Sequence, residues 1–119
     1  MNKKILVIDD EAEIRILLTD YLSARGYDVR TAEDGEAGLA LFNQLRPDLV
    51  LLDLKMKKMD GDRVCEEIRR VMPEAKVFLV SALQDVALSQ RLQNIKFDAF
   101  FEKPVKVSQL GQAIQAALA

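Results

Sequence analysis

A chain of 119 residues, half of them hydrophobic and 30% charged, has the balance of one compact domain with its own core. Its 17 basic and 19 acidic residues leave a net charge of −2, which argues against nucleic acid as the main ligand. With no histidine and one cysteine, histidine metal ligands, histidine bases and an internal disulfide are all excluded.

Residues 4–9, KILVID, read as a buried strand. Residues 11–25 place Ile14, Leu17, Leu18, Tyr21 and Leu22 at helical spacing, and Gly26 stops that helix. Tyr27–Thr31 is a short second strand. Asp34 caps a helix over 35–46 that carries Gly38, Leu41, Phe42 and Leu45 on one face, and Pro47 follows its end. Leu49–Leu52 is a third, wholly apolar strand, and 53–60 is a loop. A helix over 61–72 is ended by Pro73. On it, Cys65 has apolar neighbours and reads as a small core residue. Lys76–Val80 is strand four. A helix over 84–95, a strand at Ala99–Phe101 and, after Pro104, a helix from 106 to the end complete the order.

Five strand-then-helix units with apolar rather than alternating strands predict an α/β fold, a parallel sheet covered on both faces. The apolar start is too short for a signal peptide, and no stretch reaches membrane-spanning length. A cytoplasmic protein without membrane contact is expected.

In such sheets ligands sit beyond the carboxyl ends of the strands. Those positions hold Asp9 and Asp10, Asp53, Ser81 and Lys103. Asp10-x-x-Glu13 matches a capping box, but a cap needs one acid and leaves the pair unexplained. If the first and third strands are neighbours, Asp53 joins Asp9 and Asp10. Three carboxylates in one pocket require a proton or a cation, and an all-oxygen set suits Mg²⁺. Ser81 can donate to an anion. A lysine and a hydroxyl beside acids make a site for a transferred phosphoryl group, with an aspartate as available nucleophile.

The pieces VIDDE (7–11), LVLLDLKMKKMDG (49–61), VSA (80–82) and FFEKP (100–104) stand in order across the chain. Together they resemble the receiver domain of a bacterial two-component response regulator, with 1–119 as one such domain. The resemblance implies a flavodoxin-like fold: a single five-stranded sheet of order 2-1-3-4-5 with five helices on both faces. It implies a phosphorylation switch rather than an enzyme that turns over a diffusible substrate. Asp53 would be the phosphoacceptor. Asp9, Asp10, Asp53 and the backbone carbonyl of Lys55 would hold Mg²⁺. Lys103 would pair with the phosphoryl group, Ser81 would be the switch hydroxyl and Phe100 the rotating aromatic, and Lys103–Pro104 would be cis. The partners implied are a histidine kinase or phosphotransfer protein, and an output partner or C-terminal effector domain that reads a changed 84–110 surface. No nucleic acid would be bound directly.

Three departures from the family pattern stand out. Met56-Lys57-Lys58 replaces the usual Met-Pro, Lys96-Phe97 replaces a Gly-Ala pair, and no charge occurs from Val107 to Ala119. The last puts dimerisation through charge pairs on the final helix in doubt. Two other classes compete: a receiver-like interaction module independent of phosphorylation, and a Mg²⁺-dependent aspartyl phosphatase. Glu11 and Glu13 are expected to be helix N-terminal acids without chemistry.

Overall fold

Five strands pair into one parallel sheet of order β2-β1-β3-β4-β5. In this computed structural model, described over residues 2–82, 90 and 93–119, the strands are β1 (Lys4–Ile8), β2 (Asp28–Ala32), β3 (Leu49–Leu52), β4 (Val77–Ser81) and β5 (Ala99–Glu102). Four helices lie within the described residues: α1 (Ala12–Ala24), α2 (Gly35–Leu45), α3 (Gly61–Val71) and α4 (Val107–Leu118). Nearly all of the further helix expected over 84–95 falls outside the described residues.

The apolar strands are explained by two cores, one on each face. Successive residues of a strand point to opposite faces. Leu6, Ile8, Val50, Leu52, Val77 and Leu79 therefore pack with Phe42 of α2 and with Val64, Cys65 and Ile68 of α3. Ile5, Val7, Leu49, Leu51, Phe78 and Val80 pack with Leu18 and Leu22 of α1 and with Leu110 and Ile114 of α4. A strand buried on both sides has no position left for a polar residue until it ends.

Local signals end the elements where the sequence predicts. Gly26 follows α1 at φ +95°, a conformation that costs a side chain strain. Asp34 caps α2, accepting from the Ala37 N–H at 2.8 Å. The capping box at Asp10 is not formed: the N-cap of α1 is Glu11, and its side chain makes no cap hydrogen bond. β2 starts and ends one residue later than the apolar pattern suggests, because its register is set by pairing Lys4 with Asp28 through Ile8 with Ala32.

Arg69, near the end of α3, ties the turn after its own helix to the remote segment before β5. Its Nε and Nη2 donate to the Lys96 carbonyl at 3.1 and 2.9 Å, and its Nη1 donates to the carbonyls of Pro73 and Ala75. Its Nη2 also meets Asp98 at 3.3 Å, and Asp98 in turn accepts from the Val77 N–H at 2.7 Å. The Cys65 thiol, its pKa pushed up by burial, donates to the same Lys96 carbonyl at 3.4 Å. Phe97 packs against the α2–α3 core. The Lys96-Phe97 pair thus supplies both an acceptor and an apolar anchor.

Arg69→Ala would strip donors from carbonyls that the fold partly buries. A loss of about 2 kcal/mol is expected, and Arg69→Lys should recover only part of it, since an ammonium lacks the planar fork. The urea midpoints of the two variants check this. An unchanged midpoint for Arg69→Ala would remove the clamp from the support of the fold.

Candidate functional site

Each site residue emerges at the carboxyl end of a strand. Asp9 and Asp53 are the first residues past β1 and β3. Their N–H groups continue the ladders, Asp9 to the Ala32 carbonyl at 3.1 Å and Asp53 to the Ile8 carbonyl at 3.0 Å. Ile8 pairs with Leu52, so the two aspartates leave the sheet side by side. Ser81 is the last residue of β4 and pairs with Glu102. Lys103 follows, its N–H on the Ser81 carbonyl at 3.0 Å.

The side chains converge. The Ser81 hydroxyl donates to Asp53 Oδ1 at 2.8 Å, and the Lys55 N–H approaches the same oxygen at 3.3 Å. Lys103 Nζ lies 3.0 Å from Asp53 Oδ2, 3.0 Å from Asp9 Oδ2 and 2.9 Å from Glu11 Oε1. Asp9 Oδ1 accepts from the Glu11 N–H at 2.9 Å, and Arg15 anchors the Asp9 carbonyl at 2.7 Å. Asp9, Asp53 and Ser81 are the buried polar residues among those described, and no buried side-chain polar atom there lacks a partner.

Burial disfavours charge on Asp9. The Glu11 N–H and Lys103 oppose that and Asp53 adds to it, and the result is a pKa raised from 3.8 to about 6. Burial alone would lower the pKa of Lys103. The hydrogen bonds of Glu11 and Asp9 and the charge and hydrogen bond of Asp53 outweigh it and hold the ammonium above its ordinary value.

One carboxylate oxygen from each of Asp9, Asp10, Glu11 and Asp53 falls in a group spanning no more than 4.8 Å. Hard oxygen donors without nitrogen or sulfur fit Mg²⁺. Asp10 is half-buried and also lines a recess of about 200 Å³ with Glu33, Asp34, Lys57 and Lys58. There Lys58 pairs with Asp34 at 3.6 Å, so one of the two departing lysines ties the 53–60 loop to the start of α2.

Phe100 is not part of this cluster. On β5 it pairs with Leu79 of β4, is half-buried, and packs against the α2–α3 core. The Lys103–Pro104 bond is cis. Glu11 is the site residue that the pattern missed. Its one signal was its place three residues after the strand, where a side chain can still turn back over the sheet edge.

A doubly wound parallel sheet of this order, whose carboxyl edge gathers acids, a lysine and a hydroxyl, defines a flavodoxin-like domain with its polar site at that edge. The chain belongs to the response regulator receiver domain family, whose sequence pattern matches residues 5–115. Receiver domains are phosphorylation-dependent signalling switches rather than enzymes in the usual sense. The chain is 42% identical over 119 residues to the probable transcriptional regulator ycf27 of Porphyridium aerugineum, which aligns with 98% of this chain. The chain spans about half the length of that relative, 48%. Sporulation initiation phosphotransferase F of Bacillus subtilis (strain 168) is 31% identical over 118 residues, covering 99% of this chain and 95% of that protein. The response regulator protein TrrA of Thermotoga maritima, solved in complex with Mg²⁺-BeF, superposes with a TM-score of 0.85 at 34% identity, covering 97% and 98% of the two chains. No helix among the described residues is long and apolar enough to cross a membrane.

Proposed function

We propose that Asp53 is the phosphoacceptor of this receiver, which spans residues 1–119. The observation that carries the reading is the grip on its carboxylate: Ser81 holds one oxygen at 2.8 Å and Lys103 the other at 3.0 Å, at a buried strand end beside Asp9. Such a carboxylate is oriented, and the groups that orient it are the ones a phosphoryl group needs.

Asp9, Asp10 and Asp53, with the Lys55 carbonyl, would hold Mg²⁺. The bound ion supplies positive charge against the acids and the incoming phosphoryl oxygens. The crystallised Mg²⁺-BeF complex of the Thermotoga relative supports that choice of metal. An Asp53 oxygen attacks phosphorus, and the phosphorus–nitrogen bond of a donor phosphohistidine breaks toward the imidazole. Lys103 neutralises charge on the transferred oxygens. The Ser81 hydroxyl rotates from Asp53 Oδ1 to a phosphoryl oxygen. Phe100 then turns inward, and the 84–110 surface changes for an output partner. Phosphorylation shifts an existing equilibrium between two states. A histidine kinase or phosphotransfer protein is the donor, in the cytoplasm, and the chain contributes catalysis to its own modification and slow hydrolysis only. The output belongs to a partner or to a following effector domain, as the name of the half-covered relative suggests.

Intact-mass spectrometry after incubation with acetyl phosphate and Mg²⁺ tests the assignment. Wild type should gain one phosphoryl group and Asp53→Asn none. An adduct that survives Asp53→Asn would overturn the role of Asp53.

A further inference from the structure

Lys103 has three ammonium hydrogens, and three carboxylate oxygens lie at hydrogen-bonding distance from Nζ: Asp9 at 3.0 Å, Asp53 at 3.0 Å and Glu11 at 2.9 Å. Its donors are saturated. A phosphoryl oxygen on Asp53 can be bound by this lysine only if one of the three is displaced. The three partners are not equal. The side chains of Asp9 and Asp53 are 3% and 5% exposed, so water cannot take the place of the lysine at either. The Glu11 side chain is 57% exposed, and water can replace the lysine there at small cost.

We infer that Glu11 is a positioning residue that occupies, in the unphosphorylated protein, the place on Lys103 that a phosphoryl oxygen takes on transfer. Glu11 keeps the ammonium drawn to the mouth of the site while Asp53 is free, and it yields when an anion arrives. It is therefore a brake as well as a guide, because its release is part of the barrier. This rests on the assignment of Asp53 as acceptor.

The consequence is a gain of rate on removal. With acetyl phosphate as donor, an Asp53 oxygen attacks phosphorus, and the phosphorus–oxygen bond to the acetyl group breaks, releasing acetate with the electron pair. At saturating Mg²⁺, Glu11→Gln and Glu11→Ala should form the adduct about threefold faster than wild type, the effect of one exposed ion pair. The gain should shrink as ionic strength rises, since an exposed pair is screened. Structural damage would lower the rate and would not follow salt.

The experiment measures adduct formation by intact-mass spectrometry for wild type, both Glu11 variants and Asp53→Asn at low and high salt. Faster, salt-sensitive formation in both variants supports the inference. Equal or slower formation in the variants overturns it while leaving Asp53 as acceptor. A wild type that forms no Asp53-dependent adduct overturns both.

Discussion

Gly61→Ala should cost this protein both stability and phosphoryl transfer. A Cβ at Gly61 would lie 2.1 Å from the Asp53 carbonyl oxygen and 2.7 Å from Leu54 Cα. Both atoms are backbone and cannot rotate away. The Gly61 N–H also donates to the Leu54 carbonyl at 2.8 Å, closing the loop after β3 onto the start of α3. Accommodating a methyl group therefore means shifting Asp53, the residue proposed as phosphoacceptor. Overpacking of this kind costs about 3 kcal/mol, or roughly 10–20 °C in melting temperature. A displacement near 1 Å at the reacting oxygen should slow transfer about 100-fold.

Gly26→Ala separates the two effects. A methyl group at Gly26 would meet nothing within 4 Å, and only the φ of +95° opposes it. That variant should lose about 1 kcal/mol through backbone strain and transfer phosphate at the wild-type rate. Thermal unfolding and adduct kinetics on both variants check this, and a Gly61→Ala protein that transfers normally would contradict the account.

Without magnesium, stability should fall as pH rises through about 6. Asp9 titrates near 6 in the folded chain against 3.8 as its ordinary value. The folded state thus binds its proton more tightly than the unfolded state does. That contribution is fully present below about pH 4 and is lost as pH rises through 6, on the order of 2 kcal/mol. Lys103, also raised, adds stability that persists across this range and is lost only at strongly alkaline pH. Magnesium requires the ionised acids, so its stabilisation should be small at pH 5 and reach about 2.7 kcal/mol at pH 8 with metal at a hundredfold excess over its Kd. Asp9→Asn should remove most of the pH slope and raise the metal-free melting temperature at pH 8, while abolishing much of the response to magnesium. Melting curves from pH 5 to 8, with and without the metal, decide it. A metal response that is flat with pH would reject Asp9 as the group in competition with the ion.

The legible part of this site came from one regularity. A strand buried on both faces is apolar to its end, so the first polar residue after it marks the sheet edge. Asp9, Asp53 and Ser81 could be placed that way, and the register of Ile8 with Leu52 brings the first two together as expected, whereas Lys103 follows Glu102 on the partly buried β5 and stood out by its place before Pro104. The capping box at Asp10 was the competing local signal. It fails because the helix begins after Glu11, one residue later than a cap at Asp10 requires. Glu11 looked like an ordinary acid at a helix start, since its contact is with a lysine 92 residues away.

Local sequence therefore determined which segments are strands and helices and which residue stands at each strand end, because burial and chain turning act on near neighbours. Tertiary structure decided the rest. The saturation of Lys103, the closeness of Gly61 to the Asp53 backbone and the grip of Arg69 on Lys96 each depend on distances between segments that the chain brings together only when the sheet is assembled. No short-range pattern encodes such a distance.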